Sequence, residues 1–216
     1  PFEGPWTFEH HPWLEEPLDD DRETVIIQKA AQMGFTEVAL NRAFFAMDIQ
    51  HVSVLYLLPI LRPDATDFSS ARFDTAIELS PHLTSIFNDI KNVGHKRAGV
   101  ANFYLRGSRS RSGLKQVPVG LIIFDEVDEM DQDNIPLAFE RTSGQLFKQF
   151  ILLSTPTIEG YGINKYFATS SQKHYMFPCP SCNRQIELLP ENLIITAEKV
   201  TDQSIAQSYI ECSLCK

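Results

Sequence analysis

The sequence has no uninterrupted apolar run of about twenty residues, the length a helix needs to cross a bilayer. It also has no secretory signal, so neither membrane insertion nor export is suggested. No internal repeat or low-complexity stretch is evident, which excludes a repeat array or a structureless linker. Cysteine is scarce: Cys179, Cys182, Cys212 and Cys215 are the only four. Basic charge is outnumbered, and the net charge of −9 argues against whole-surface attraction to DNA. Acidic residues, however, are missing from Lys91 to Gln116, where seven Lys or Arg fall. Such a strip, with Arg109, Arg111 and Lys115, can touch phosphate on an otherwise acidic protein. A solvated loop flanking a strand would carry the same residues.

What is present is enough for one core. A chain of 216 residues, 43% of them apolar, can bury one good core and one small appendage. Strand-like segments rich in β-branched or aromatic residues fall at 25–28, 52–58, 101–106, 119–124 and 149–154. Helical segments fit 36–47, 68–79, 82–90, 136–145 and 162–171, with Pro136 well placed in a first turn. Alternating strand and helix predicts an α/β class with parallel βαβ units and right-handed crossovers. Residues 1–22, with Trp6, Phe8 and Trp13, read as an irregular lead-in. Residues 23–172 read as the core and 173–216 as the appendage.

The run from Val119 to Glu129 carries the most chemistry. Its apolar half suits a strand in the middle of a parallel sheet, and Asp125 and Glu126 follow directly. Ligands of open α/β sheets bind at such strand ends. Hydrolysis of a nucleoside triphosphate needs this pair: one carboxylate organises Mg²⁺ and the next polarises the attacking water. A buried strand running into a solvated acidic loop reads the same way, since Asp128, Glu129, Asp131 and Asp133 follow.

A partner motif lies upstream, between the short strand at Val25 and a predicted helix. Lys29-Ala30-Ala31-Gln32-Met33-Gly34-Phe35-Thr36 has the strand–loop–helix setting of a phosphate loop, whose helix start offers free N–H groups and a favourable dipole. The usual pattern ends in Gly-Lys-Ser/Thr. Gly34 and Thr36 fit it, but Phe35 stands where the lysine belongs, and Lys29 replaces the first glycine. A lysine at the start of a loop that wraps phosphates can reach the charge usually met from its end. An ordinary strand–helix connection is the plainer account.

The last strand ends in Ser154-Thr155-Pro156-Thr157. Small hydroxyl residues beside catalytic carboxylates can sense the γ-phosphate, although Ser, Thr and Pro also make good turns. Cys179-x-x-Cys182 and Cys212-x-x-Cys215 have the spacing of two knuckles of a tetrahedral Zn²⁺ site. Asn183 tolerates the left-handed conformation a knuckle needs, and strands at 185–189 and 208–211 would complete a small zinc ribbon. Disulfides are the alternative, and a reducing compartment would disfavour them.

Taken together, these motifs resemble the large terminase subunits of tailed bacteriophages, in the lambda-like branch. Lys29–Glu37 is similar to that branch's deviant phosphate loop. Gly107–Lys115, Asp125–Asp128, Leu153–Thr157 and the paired cysteines of Phe177–Cys182 follow in the branch's order, and Pro12–Leu18 is similar to its lead segment. The resemblance implies a RecA-like ATPase core with mostly parallel sheet and a small C-terminal zinc-ribbon-like appendage. Lys29, the backbone of Ala30 to Phe35, and Thr36 would hold ATP; Asp125 and Thr36 would hold Mg²⁺. Glu126 would activate water, and Ser154–Thr157 would be the coupling motif. An arginine finger is expected, with Arg97, Arg106, Arg109, Arg111 and Arg141 all open. The lead-in aromatics either stack on adenine, as in the family, or cover a sheet edge.

The implied activity is an ATP-hydrolysing motor for packaging double-stranded DNA. Its expected partners are a small terminase subunit and the portal of a procapsid, in a homo-oligomeric ring in host cytoplasm. A nuclease domain is expected beyond Lys216. Two other readings stay open. One is a helicase-like translocase, which should have an ordinary Gly-Lys-Thr loop and a second RecA domain. The other is a non-hydrolysing, zinc-containing DNA-binding assembly module.

Overall fold

The computed structural model describes residues 6–87, 92–114, 117–196 and 201–216. They form two compact units, one running to Ser171 and the other comprising Gln172–Lys216.

Within the lead-in of the first unit, residues 6–11 are irregular, and a 3-10 turn at Pro12–Leu14 and α1 at Glu15–Asp19 follow. Then come β1 (Thr24–Gln28), α2 (Phe35–Asp48) and β2 (Val54–Leu58). A helical run follows, alternating π turns at Leu61–Ala65 and Ser69–Asp74 with α3 (Thr66–Phe68) and α4 (Thr75–Leu79). α5 spans Pro81–Ile86, and the expected extension over 88–90 lies outside the described residues. The remaining elements are β3 (His95–Ala98), β4 (Ala101–Gly107), α6 (Arg111–Leu114), β5 (Leu121–Asp125), α7 (Ile135–Phe139), β6 (Gln149–Ser154) and α8 (Gly162–Phe167).

Six strands make one sheet in the order β1-β6-β5-β2-β4-β3, parallel except for the edge strand β3. The strand ending in Ser154 thus lies between β1 and the strand ending in Asp125. Every residue of β2, β5 and β6 is buried, as expected for strands covered on both faces. One face packs Leu40, Phe44 and Met47 of α2 with Phe68, Phe73 and Ile77; the other packs Ile135, Ala138 and Ile163.

Two helices stop earlier than their periodicity suggests, and hydroxyls bond to carbonyls at their ends. After α7, Thr142 Oγ1 donates to Phe139 O at 3.1 Å and the chain tightens into a 3-10 turn at Glu140–Thr142. After α8, Thr169 and Ser170 hydroxyls donate to Tyr166 O and Phe167 O at 2.8 Å each. Strand β3 has no apolar signature of its own, since it reads His-Lys-Arg-Ala. It forms because Lys96 points inward, where its Nζ pairs with Asp74 Oδ1 at 2.7 Å over the ring of Phe73.

The second unit contains two short antiparallel pairs. β7 (Phe177–Pro178) pairs with β8 (Gln185–Ile186), and β9 (Leu193–Ile194) with β10 (Tyr209–Ile210). The strands expected at 185–189 and 208–211 are therefore only two residues long. Between β9 and β10 lies α9 (Asp202–Gln207), started by a capping box of Thr201 and Ser204. Among the described residues no helix is long and apolar enough to cross a membrane.

Candidate functional site

The end of β1 and the start of α2 bring Lys29 and Thr36 to the carboxyl ends of β5 and β6. Lys29 N donates to Ser154 O at 3.0 Å, continuing the β1–β6 ladder one residue past the strand. Its side chain is buried, and Nζ lies 2.9 Å from Glu126 Oε1. Gly34 takes φ +86 as the residue before α2, a conformation natural only to glycine. A Cβ there would stand 2.9 Å from Leu14 Cδ1, so the lead-in presses directly on the loop. Trp13 Nε1 adds a 3.0 Å bond to Met33 O. Since α2 begins at Phe35, the N–H groups of Phe35 and Thr36 have no intrahelical acceptor and suit anionic oxygens, whereas those of Glu37 and Val38 bond to Gly34 O. Phe35 itself is half-buried and packs against the main core.

Asp125 and Glu126 diverge because the chain turns sharply between them. Asp125, the last residue of β5, is buried; its Oδ1 lies 3.5 Å from Thr36 Oγ1, and its Oδ2 accepts from Tyr56 Oη at 2.7 Å. Burial pushes its carboxyl up to about 6, helped by Glu126 and opposed by Tyr56, Lys29 and Thr36. Burial and the adjacent Asp125 also push Tyr56 well above its ordinary value, so it stays a hydrogen-bond donor. Glu126 adopts φ +66, ψ +57, an unusual left-handed backbone for a glutamate. Its N–H is fixed to Leu153 O at 2.9 Å, which turns the side chain out of the sheet and toward Lys29.

Ser154 sits behind this pair with no exposure. Its hydroxyl lies 3.4 Å from Glu126 Oε2 and 3.2 Å from Thr155 O, and it accepts from Asp128 N at 3.1 Å. Thr157 is held by Asp128, whereas Thr155 is half-buried and Pro156 exposed.

A cleft of about 370 Å³ opens beside Glu126, lined also by Leu58, Pro59, Ile60, Asp64, Arg109 and Glu129. Among the five candidate arginines, Arg109 is thus the one that lines this cleft with Glu126. Arg111 is turned to Asn134 Oδ1 at 3.0 Å, Arg97 to Gly99 O at 2.8 Å, and Arg106 to Gly94 O and Leu105 O. Arg141 lies 3.3 Å from its neighbour Glu140. Lys115 lies outside the described residues. The basic strip is therefore not one open surface, since Lys96 is fully buried and Arg106 and Arg111 are spent on internal contacts. Tyr56 carried no motif, and Asp128 read as part of an acidic loop.

In the second unit the four cysteines are free thiols whose sulfurs lie within 4.8 Å of one another. Cys179–Cys215 and Cys182–Cys212 are each 3.9 Å apart. A disulfide needs about 2.05 Å. A tetrahedron with Zn–S bonds of about 2.3 Å has edges of about 3.8 Å, so this donor set has the shape and chemistry of a closed zinc site. Asn183 has φ +56, and its N–H closes the first knuckle onto Cys179 O at 2.8 Å. Backbone and side-chain bonds from Arg184 lower the Cys182 thiol to about 6.

This mostly parallel α/β fold is that of the ATPase domains of viral large terminases. The Thermus phage P74-26 large terminase ATPase domain superposes with TM-score 0.59 at 13% identity, covering 77% of this chain and 72% of that one. The HK97 bacteriophage large terminase gives 0.57 at 12%, covering 73% and 34%. The large terminase of a thermophilic bacteriophage, in complex with ADP, gives 0.56 at 11%, covering 74% and 42%. The chain thus spans about a third to two fifths of the length of these last two proteins. No curated protein matches it in sequence. Residues 1–216 match the family described as phage terminase large subunit gpA, ATPase domain, and the chain belongs to that family.

Proposed function

We propose that this chain hydrolyses ATP to drive double-stranded DNA into a procapsid, with Lys29 as the displaced lysine of its phosphate loop. The observation that carries the reading is the meeting of two motifs 97 and 89 residues apart: Lys29 Nζ with Glu126, and Thr36 Oγ1 with Asp125. Lys29, the backbone of residues 30–35 and Thr36 hold the phosphates. Asp125 and Thr36 hold Mg²⁺, which when bound screens the phosphate oxygens. Glu126 orients and deprotonates water; with nucleotide bound, Lys29 turns from Glu126 to phosphate, freeing the carboxylate for that task. Arg109, which lines the same cleft as Glu126, supplies the arginine charge. Ser154–Thr157 couples hydrolysis to motion. The ADP complex of the thermophilic bacteriophage terminase supports the nucleotide assignment.

The four cysteines hold one structural Zn²⁺. Partners follow from the family: duplex DNA, a small terminase subunit and the portal, around which copies of the chain form a ring in the host cytoplasm. Cleavage of concatemeric DNA belongs to a nuclease domain of the intact protein.

Substitution Glu126→Gln tests the core of this reading. It should leave Mg²⁺·ATP binding within a few-fold of wild type while lowering turnover about 10²-fold or more, because the amide cannot accept the water proton. Turnover equal to wild type would remove Glu126 from the mechanism.

A further inference from the structure

Asp128 is buried two residues beyond the water-activating position, and both of its oxygens are taken. Oδ2 accepts from both the backbone N–H and the hydroxyl of Thr157, at 2.8 Å each. Oδ1 accepts from the N–H of Ile163, in the first turn of α8, at 2.7 Å. Its own N–H donates to Ser154 Oγ at 3.1 Å, and that hydroxyl lies 3.4 Å from Glu126 Oε2. The backbone has closed in around this carboxylate. Gly162 takes φ +52, and a Cβ there would fall 2.3 Å from Asp128 Oδ1. Three N–H or O–H donors converge on one buried carboxylate and fix their elements to it. Three segments therefore share one tie: the turn carrying Glu126, segment 154–157 and the start of α8. α8 is the last helix of its unit, ending four residues before Ser171.

We infer that Asp128 is a positioning residue of the ATPase site, which ties Glu126, the Ser154–Thr157 segment and α8 together so that they shift as one when nucleotide is bound or hydrolysed. It touches neither phosphate nor water. Its effect on turnover runs through the setting of Glu126 and Ser154. The inference rests on the proposed ATPase reading of the site and adds the route by which that site reaches the end of its unit.

The test is Asp128→Asn, which keeps size but leaves only one acceptor oxygen for three donors. Thr157→Val is the milder companion, removing the hydroxyl contact and keeping the N–H. Both are compared with wild type in single-turnover ATP hydrolysis, in Mg²⁺·ATP affinity and in hydrogen exchange with and without Mg²⁺·ATP. In Asp128→Asn, turnover should fall at least tenfold while affinity changes less than about threefold. Nucleotide should still slow exchange over 29–36 but no longer alter it over 157–167. Thr157→Val should show the same pattern more weakly. Wild-type turnover and a wild-type nucleotide response over 157–167 in Asp128→Asn would overturn the inference. So would protection lost uniformly across the first unit in both variants, which is what a purely structural residue gives. If Glu126→Gln also leaves turnover unchanged, the ATPase reading itself fails; if it does not, only the role of Asp128 does.

Discussion

Tyr56→Phe removes one atom beside Asp125, the proposed Mg²⁺ ligand, and leaves the rest of the residue in place. Tyr56 is fully buried on β2, and its hydroxyl donates to Asp125 Oδ2 at 2.7 Å. Asp125 already sits at about 6, against an ordinary 3.8, mainly because it is buried. At 1.36 kcal/mol per pH unit, that rise of about 2 units is about 3 kcal/mol against the ionised form. The sign follows from proton counts. Between about pH 4 and 6 the folded chain holds a proton on Asp125 that the unfolded chain has released. Stability contributed by this group therefore falls as pH rises through that window and stays low above it until a cation compensates. Deleting the hydroxyl removes a hydrogen bond to a charged acceptor, worth about 1.5–3 kcal/mol. That is about 1–2 further pH units, so the carboxyl of the variant should titrate correspondingly higher than that of wild type.

The assay is the Mg²⁺-dependent part of the affinity for a fluorescent ATP analogue, measured from pH 5 to 9 against the Mg²⁺-free affinity. A proton on Asp125 competes with Mg²⁺, so wild type should lose about tenfold in Mg²⁺-dependent affinity per pH unit below about 6. In Tyr56→Phe the same fall should begin about 1–2 units higher, with the two proteins converging near pH 9. Superimposable profiles would refute the argument that Tyr56 holds Asp125 ionised for the metal.

Two further tests address the unusual loop and the cysteines. Lys29→Ala should abolish hydrolysis with the fold intact, whereas Phe35→Ala, which trims a half-buried ring from the core, should reduce it far less. The pair Lys29→Gly with Phe35→Lys restores the usual loop order and should recover part of the activity; unchanged turnover in Lys29→Ala means the loop has been misread. Elemental analysis should find about one Zn²⁺ per chain, and its removal by chelator should abolish hydrogen-exchange protection in 177–216 while the sheet of the first unit stays protected. Disulfides between the pairs in freshly prepared, metal-free protein would overturn the zinc assignment.

The sequence alone determined the central strands, because β2, β5 and β6 are buried on both faces and so read as unbroken apolar runs ending in turn residues or carboxylates. It determined α2 and the loop before it, since Gly34 supplies the positive φ that this strand-to-helix turn requires. It also placed the cysteine pairs, whose spacing is itself the geometry of a knuckle.

The rest depended on contacts between residues far apart in the chain. Strand β3 was invisible because its inward residue is a lysine, acceptable there only once Asp74 and Phe73 are brought beside it. Tyr56 looked like one more aromatic in an apolar strand until the sheet order set β2 next to β5 and aimed its hydroxyl at Asp125. Among the arginines, sequence offered five equal candidates, and only the folded chain put Arg109 on the cleft of Glu126 while occupying the others. Asp128 read as a solvated acid because an acidic stretch carries no record of what will cover it. Its burial depends on Gly162, 34 residues away, yielding the space in which Thr157 and Ile163 can point their N–H groups at it. Local sequence sets backbone conformation and periodicity; which polar groups end up facing one another is decided only when the sheet is assembled.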